Sequence, residues 1–456
     1  MAPPSRRFVS RLALITLLGL AVRLAFVLLV RRHQQVWGDT YVYHWGARLL
    51  AEGHGFIEPL RYNAFGVAKQ TAAEPPLFVG LLAAFSLVGL KSFLTHKIIC
   101  AFIGTCTVAA MGLLGREVGD QLWGERRGER IGLLSAFVVA VYPNFWLHDR
   151  MVMSETLTLL LVTIAIWMAY RLWRAPSYRR GIAFAVAGTL AALVHPDSLM
   201  LLPLATIPIA IGLRQWSWWR RIGLVAVVGA TAVILVSPWV VYNFSRFEEP
   251  IFLSDGQDIT MAVSNCDQAW HGEFRGFWYM PCASAVTPPP GDQSQEGVFW
   301  RKRALNYIGD HLDELPGVLV AKVGRVWGFY RPIQQWSLEE LEGHDRWVAQ
   351  IASGFYYVLM PFAIYGLVRI KRRGVPISPL LAMASLVTIA AMITFGNTRY
   401  RAQAEVAIVT AAAVGIESVW TRRRPTPEVL SVTSGSSGEP NSPKAGDEMA
   451  AGAAVG

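Results

Sequence analysis

Three short stretches of this 456-residue chain place ionisable side chains at the ends of apolar runs. Gly38-Asp39-Thr40-Tyr41-Val42-Tyr43-His44-Trp45 follows the first apolar run, Asp149-Arg150 and Glu155 lie between two later ones, and Asn397-Thr398-Arg399-Tyr400-Arg401 precedes the last. A carboxylate at the mouth of a helical bundle can take a proton from an acceptor hydroxyl, while arginines beside it neutralise a phosphate as charge develops there. Those are the parts needed to move a sugar off a lipid phosphate. Asp39 is the candidate general base and Glu155 the second candidate catalytic acid residue. Asp149 and Glu155 are candidates to position an acceptor, bind a divalent cation or hold a basic partner. Arg61, Lys69, Arg399 and Arg401 are the cations available to a phosphate. Arg23, inside the first apolar run, is costly to bury and therefore also worth following.

Other chemistries find no support in the motifs. There is no glycine-rich phosphate loop before a helix, no dinucleotide fingerprint, and no His-Glu-x-x-His or Cys-x-x-Cys site. A lipid-linked donor therefore fits better than a soluble nucleotide sugar. Tyr41, Tyr43 and Trp45 follow Asp39; aromatic faces suit sugar rings and prenyl chains, and they also populate membrane interfaces.

The elements that must position these residues are membrane helices. Hydrophobic residues make up 53% of the chain and charged residues only 16%, against about 25% charge in soluble domains; the mean hydropathy is +0.35. The formal net charge of +10 is concentrated in short loops between apolar runs, which makes it a topology signal and gives no reason to expect a nucleic-acid partner. Arg6, Arg7 and Arg11 precede the first run, Leu12 to Val30, which lacks a small-residue cleavage site and reads as a retained anchor. Basic loops at 115–130, 171–180, 214–221 and 369–373, together with Arg422 to Arg424, belong inside. Asp39, Asp149, Glu155, Arg399 and Arg401 then all fall on the outer face.

The expectation is an all-α, multi-pass transmembrane helical bundle with about ten spans, juxtamembrane or re-entrant helices, and external loops forming the active-site face. Residues 75–90 read as re-entrant, being short for a crossing, and Leu315 to Tyr330 as an amphipathic helix on the outer surface with Lys322 and Arg325 among its apolar residues. The chain divides into a transmembrane catalytic module over 1–241 with a first external loop at 31–96, an external region at 242–346, C-terminal transmembrane helices at 347–420, and a disordered cytoplasmic tail at 421–456. Cys266 and Cys282 share the external region, and two cysteines there favour a disulfide in an oxidising compartment. Cys100 and Cys106 lie in an apolar run and read as small core residues.

These residues also carry a resemblance. The Gly38-Asp39-Thr40-Tyr41 segment with Ala47-Arg48-Leu49-Leu50-Ala51-Glu52-Gly53 resembles the first external loop of the polytopic C-type glycosyltransferases, in the branch of dolichyl-phosphate-mannose protein mannosyltransferases and aminoarabinose lipid A transferases. Glu74-Pro75-Pro76-Leu77, Met153-Ser154-Glu155-Thr156-Leu157, the turn from Gly188 to Pro196, and Thr398-Arg399-Tyr400-Arg401 follow in the family's order. The likeness covers residues 10–245 well and the rest loosely. It implies an inverting transfer from a polyprenyl-phosphate sugar to a lipid, glycan or protein hydroxyl at the external or periplasmic face of the plasma (inner) membrane, with both termini cytoplasmic. The catalytic loop carboxylate would be Asp39 and the second acidic residue Glu155; a divalent metal ion is left open. Glu74 stands where family members carry a lysine near the donor phosphate, so Lys69 or Arg61 would have to make that contact. His195 stands where an arginine is common, and Ala402-Gln403 replaces a proline-rich run. The reading from another class is a lipid or solute transporter or flippase, whose ionisable groups would line a path near the bilayer midplane.

Overall fold

The computed structural model describes residues 3–30 and 38–422. The expected tail from 423 onward lies outside the described residues. The first element, α1 (Arg6–Ala25), starts where the Ser5 hydroxyl accepts from the Phe8 amide and runs into a π-helical turn, Phe26–Val30. The segment after the first apolar helix carries α2 (Asp39–Ala51), α3 (Pro59–Phe65) and α4 (Pro76–Leu87). Next come α5 (Phe93–Trp123), α6 (Glu125–Val141), α7 (Glu155–Arg174), α8 (Tyr178–Ala192), α9 (Leu201–Gly212) and α10 (Trp218–Phe244). The polar region between α10 and the next long helix folds into α11 (Gly256–Ser264), α12 (Asp267–Trp270), α13 (Pro281–Ser284), α14 (Gln293–Asp310), α15 (Leu315–Val326) and α16 (Pro332–Leu341). The chain returns through α17 (Arg346–Arg372), α18 (Ser378–Ile393) and α19 (Ala402–Arg422). The described residues through Ser418 make one compact unit, and those from Val419 onward are set apart from it.

Six helical stretches are long and apolar enough to cross a bilayer, beginning at Arg6, Phe93, Glu155, Trp218, Arg346 and Thr398. The protein is thus a multi-pass membrane protein. Four of the expected spans correspond instead to the shorter α6, α8, α18 and the α9 segment from Pro196. Burial separates the six into two groups: the apolar windows of α5, α7 and α19 are 67%, 61% and 78% buried, those of α1, α10 and α17 only 22%, 17% and 28%. The first three are the centre of the bundle. The others turn Leu14, Leu17, Val233, Ile234, Val358 and Ile364 outward, as a lipid-facing surface requires.

Close packing of α5 on α6 is a small-residue interface: a Cβ on Gly119 would meet the Gly128 Cα at 2.7 Å, so only glycine lets the two backbones approach. This fixes the helix that carries the turn between α6 and α7. α4 begins at Pro76, is too short to span, and buries Phe78, Val79, Leu82 and Ala83, in keeping with a re-entrant or interfacial position.

Two expectations are corrected. Cys106 is exposed while Cys100 is buried, because six helical positions rotate the side chain from the core to the lipid-facing side of α5. α15 does not turn its charges outward: Lys322 and Arg325 are buried, Lys322 Nζ donating to Asn265 Oδ1 at 3.0 Å and Arg325 Nε to the Arg275 carbonyl at 2.6 Å, while Val320 is 71% exposed. The buried face also holds Val318 and Val326, so α15 packs apolar and charged side chains inward together, and periodicity alone does not reveal which face is inward.

Candidate active site

Three chain turns bring the site together. Gly38 precedes α2 at φ 60°, a left-handed conformation that glycine adopts without Cβ strain, and Asp39 is the first residue of the helix. Between α6 and α7 the chain makes a 3-10 turn, Asp149–Met151, and Val152 follows at φ 54° with its side chain buried. A β-branched residue in the left-handed region costs about 1–3 kcal/mol, a strain that surrounding structure must hold; here it aims Met153 inward and starts α7 at Glu155. Before α19, Asn397 Oδ1 accepts from the Arg399 amide at 3.0 Å and closes the 3-10 turn Thr398–Arg401.

Arg399 is the centre of the site. Its Nη2 lies 2.8 Å from Asp39 Oδ2, its Nε 2.5 Å from Glu155 Oε1 and its Nη1 3.0 Å from Glu342 Oε2. The planar guanidinium can hold three carboxylates at once because its donors form a rigid fork. The three arms differ in exposure: the Asp39 side chain is 48% exposed, Glu155 5% and Glu342 10%. Asp39 is therefore the arm a substrate reaches first. Glu342 is anchored from its other oxygen, which accepts from Trp278 Nε1 at 2.7 Å.

A cavity of about 270 Å³ opens over this cluster. Asp39, Thr40, Glu342 and Arg399 supply its polar wall; Met151, Met153, Trp278, Met280, Phe395 and Tyr400 supply an apolar and aromatic one. Thr260 and Val263 of α11 also line it. The Tyr279 amide donates to the Val263 carbonyl at 2.9 Å, and a disulfide joins Cys266 to Cys282 just beyond. The region from α11 to α16 thus forms one side of the cavity. His148 and His344, ring centroids 5.9 Å apart, are buried behind the cluster, and burial pushes both imidazoles down to about 3. They are neutral at physiological pH and leave Arg399 as the positive charge facing the carboxylates.

The remaining sequence candidates lie elsewhere. Asp149 is buried in an ion pair with Arg23 at 2.9 Å and accepts from the Thr156 hydroxyl at 2.9 Å. Gly104 makes room for that pair, since a Cβ there would meet Asp149 Oδ2 at 2.5 Å and Arg23 Nε at 2.8 Å. Arg401 pairs with Glu405 at 2.7 Å and lies 3.6 Å over the Tyr356 ring. Arg61 pairs with Glu58 at 3.0 Å and Lys69 with Glu296 at 2.6 Å, neither lining the cavity. Glu74 is behind α2, where it accepts from the Tyr43 hydroxyl at 2.5 Å. Among the described residues no group of three or more His, Cys, Asp or Glu side chains has the arrangement of a metal site; the Arg399 guanidinium stands between the three carboxylates. Sequence reasoning missed Glu342 and Trp278. Their only signal was an acidic run, Glu339-Glu340-Leu341-Glu342, within an aromatic-rich external region.

No family model matches the chain, and no curated protein matches it in sequence. Solved structures do match. The archaeal oligosaccharyltransferase AglB from Archaeoglobus fulgidus, in complex with an inhibitory peptide and a dolichol-phosphate, aligns over 91% of this chain and 51% of its own with a TM-score of 0.52 at 13% identity. Its apo form aligns over the same shares with a TM-score of 0.53. ArnT from Cupriavidus metallidurans bound to undecaprenyl phosphate aligns over 91% of this chain and 78% of its own, with a TM-score of 0.43 at 15% identity. The chain spans about half the length of the oligosaccharyltransferase it matches. At these identities the likeness is one of fold: the chain shares the all-α, polytopic architecture of that oligosaccharyltransferase over the aligned part.

Proposed function

We propose that this protein is a membrane glycosyltransferase that moves a sugar from a polyprenyl-phosphate donor to a hydroxyl of a lipid, glycan or protein acceptor at the external face. The observation that carries the reading is the half-exposed Asp39 carboxylate held beside Arg399 at the rim of a cavity with one polar and one aromatic wall. The fold is shared with a protein that holds a dolichol-phosphate, which supports a lipid phosphate as donor. In the transfer, the acceptor oxygen forms a bond to the anomeric carbon as the bond from that carbon to the phosphate oxygen breaks. The acceptor proton passes to Asp39, and the electron pair leaves with the lipid phosphate. Attack and departure on opposite faces of the sugar invert its configuration without a covalent intermediate. Arg399 faces the charge that develops on the phosphate. Its link to Asp39 is the exposed one, so a phosphate takes up donors there while Glu155 and Glu342 keep the guanidinium in place.

The translocation reading asks for ionisable groups lining a path near the bilayer midplane, whereas Arg23, the charge within the first apolar run, is paired with the buried Asp149. The test is turnover of polyprenyl-phosphate hexoses and pentoses by the purified protein in nanodiscs with a membrane-extract acceptor pool, read as release of polyprenyl phosphate. Asp39→Asn is expected to lower release by about a hundredfold or more, the range of a lost general base. Undiminished release in that variant removes Asp39 as the base.

A further inference from the structure

Behind Asp39 a line of polar side chains runs away from the cavity. Glu74 Oε2 is 2.5 Å from the Tyr43 hydroxyl, that hydroxyl is 3.0 Å from Ser154 Oγ, and Ser154 Oγ is 3.5 Å from Glu155 Oε2. The other Glu155 oxygen holds Arg399. At its far end Glu74 lines a separate narrow crevice with Val42, Gly46, Ile57 and Pro59. The line therefore joins a carboxyl group outside the cavity to the cluster within it.

A hydroxyl has one proton to donate. Tyr43 lies between Glu74 and Ser154 and can donate to only one of them. When Glu74 is a carboxylate, Tyr43 donates to it and withdraws its proton from Ser154, whose oxygen loses that donor while its own hydroxyl faces Glu155. When Glu74 is protonated, it donates to Tyr43, Tyr43 to Ser154, and Ser154 to Glu155. The protonation state of Glu74 thus sets whether the Tyr43 proton points outward to Glu74 or inward to Ser154 and the cluster.

Resting on the glycosyltransferase reading, we propose that Glu74 is a positioning residue for donor-phosphate binding, acting in its protonated form through Tyr43 and Ser154 on Glu155 and hence on Arg399. Burial, and next the Asp39 charge, hold its carboxyl up at about 8, so the protonated form is available at neutral pH. The Tyr43 phenol is raised well above its ordinary range by burial and stays protonated. The charged and titratable groups facing Glu74 are Asp39 and Tyr43 on α2, Glu155 on α7 and Arg399 before α19; Asp255, just before α11, meets the same segment through its amide, which donates to the Ala72 carbonyl. Ionising Glu74 withdraws the Tyr43 proton from Ser154 and adds a negative charge beside a site that must admit a phosphate. A lysine at this place would attract the phosphate directly; a protonated glutamate instead leaves that attraction to Arg399.

The experiment uses the full chain in nanodiscs and undecaprenyl phosphate as probe. Its affinity in the wild type is expected to fall about tenfold as pH rises from 7 to 9, as linkage requires when the protein with Glu74 protonated binds the phosphate more tightly than the protein with Glu74 ionised. Glu74→Gln donates an amide hydrogen to Tyr43 at every pH and is expected to flatten that dependence. Tyr43→Phe breaks the line and is expected to lower affinity already at pH 7. In parallel, infrared titration of the unliganded protein should show a carboxylic-acid carbonyl band lost near pH 8, absent from Glu74→Gln and displaced in Tyr43→Phe. An equal pH dependence in wild type and Glu74→Gln overturns the proposal, as does the absence of the infrared band at pH 7. Failure of the wild type to bind the lipid phosphate at any pH, with the band present, overturns the donor reading and with it the role of Glu74 in binding, while the titrating line remains.

Discussion

Arg399 and Arg401 are two residues apart on one turn and do different work. Arg399 gathers Asp39, Glu155 and Glu342 at the rim of the cavity, whereas Arg401 closes against Glu405 in the bundle. Arg399→Lys keeps the charge but loses the fork, and the expected result is normal accumulation with turnover down about a hundredfold, the scale of a lost transition-state donor. Arg401→Gln leaves Glu405 buried and unpaired, which costs about 3–5 kcal/mol; the expected result is a lower unfolding temperature in detergent. Measuring turnover and thermal unfolding for both variants separates the roles. Asp39, Glu155 and Arg399 were legible in the sequence because the charge of neighbouring loops puts all three on one face. The rule supplies the side of the membrane and not the neighbour, so Arg61 and Lys69 looked equally suitable until their own carboxylates, Glu58 and Glu296, came into view. Glu342 was invisible for the same reason: its meeting with Arg399 spans 57 residues.

Among the elements, the region from α11 to α16 is the one whose shape decides what the cavity admits. α11 and the segment Trp278–Met280 line it, and the Cys266–Cys282 bond, closing a separation of 16 residues, ties their ends. A loop of that length contributes about 3 kcal/mol when closed. Reduction is therefore expected to expose the region to protease while the transmembrane helices stay protected, and a membrane-impermeant thiol reagent should label both cysteines only after reduction. Labelling without reduction contradicts the bond. The region's helices could not be oriented from sequence. In α15 the period places Lys322 and Arg325 on one face and Val320 on another, but whether lipid, water or protein meets each face is decided by packing against α18 and the turn before α19.

At the scale of the whole molecule, the fold follows from composition: apolar runs of spanning length joined by short loops leave helices as the means of satisfying the backbone in lipid. The number of crossings was less legible, because α6, α8 and α18 are only 17, 15 and 16 residues long. Charge asymmetry predicts that the face carrying Asp39 is external. Glu248 follows α10 and Arg179 opens α8, and both are exposed; in intact cells Glu248→Cys should react with an impermeant reagent, and Arg179→Cys only after permeabilisation. The reverse pattern inverts the topology.

The most direct test of the sugar-transfer account is mass spectrometry of lipid-linked sugars and envelope glycans from cells carrying the wild-type protein, Asp39→Asn, or none. The account predicts that one polyprenyl-phosphate sugar accumulates in the last two while one lipid, glycan or protein loses the corresponding sugar residue. Identical lipid-linked sugars in all three, with a lipid or solute changed in its distribution across the membrane, would contradict it.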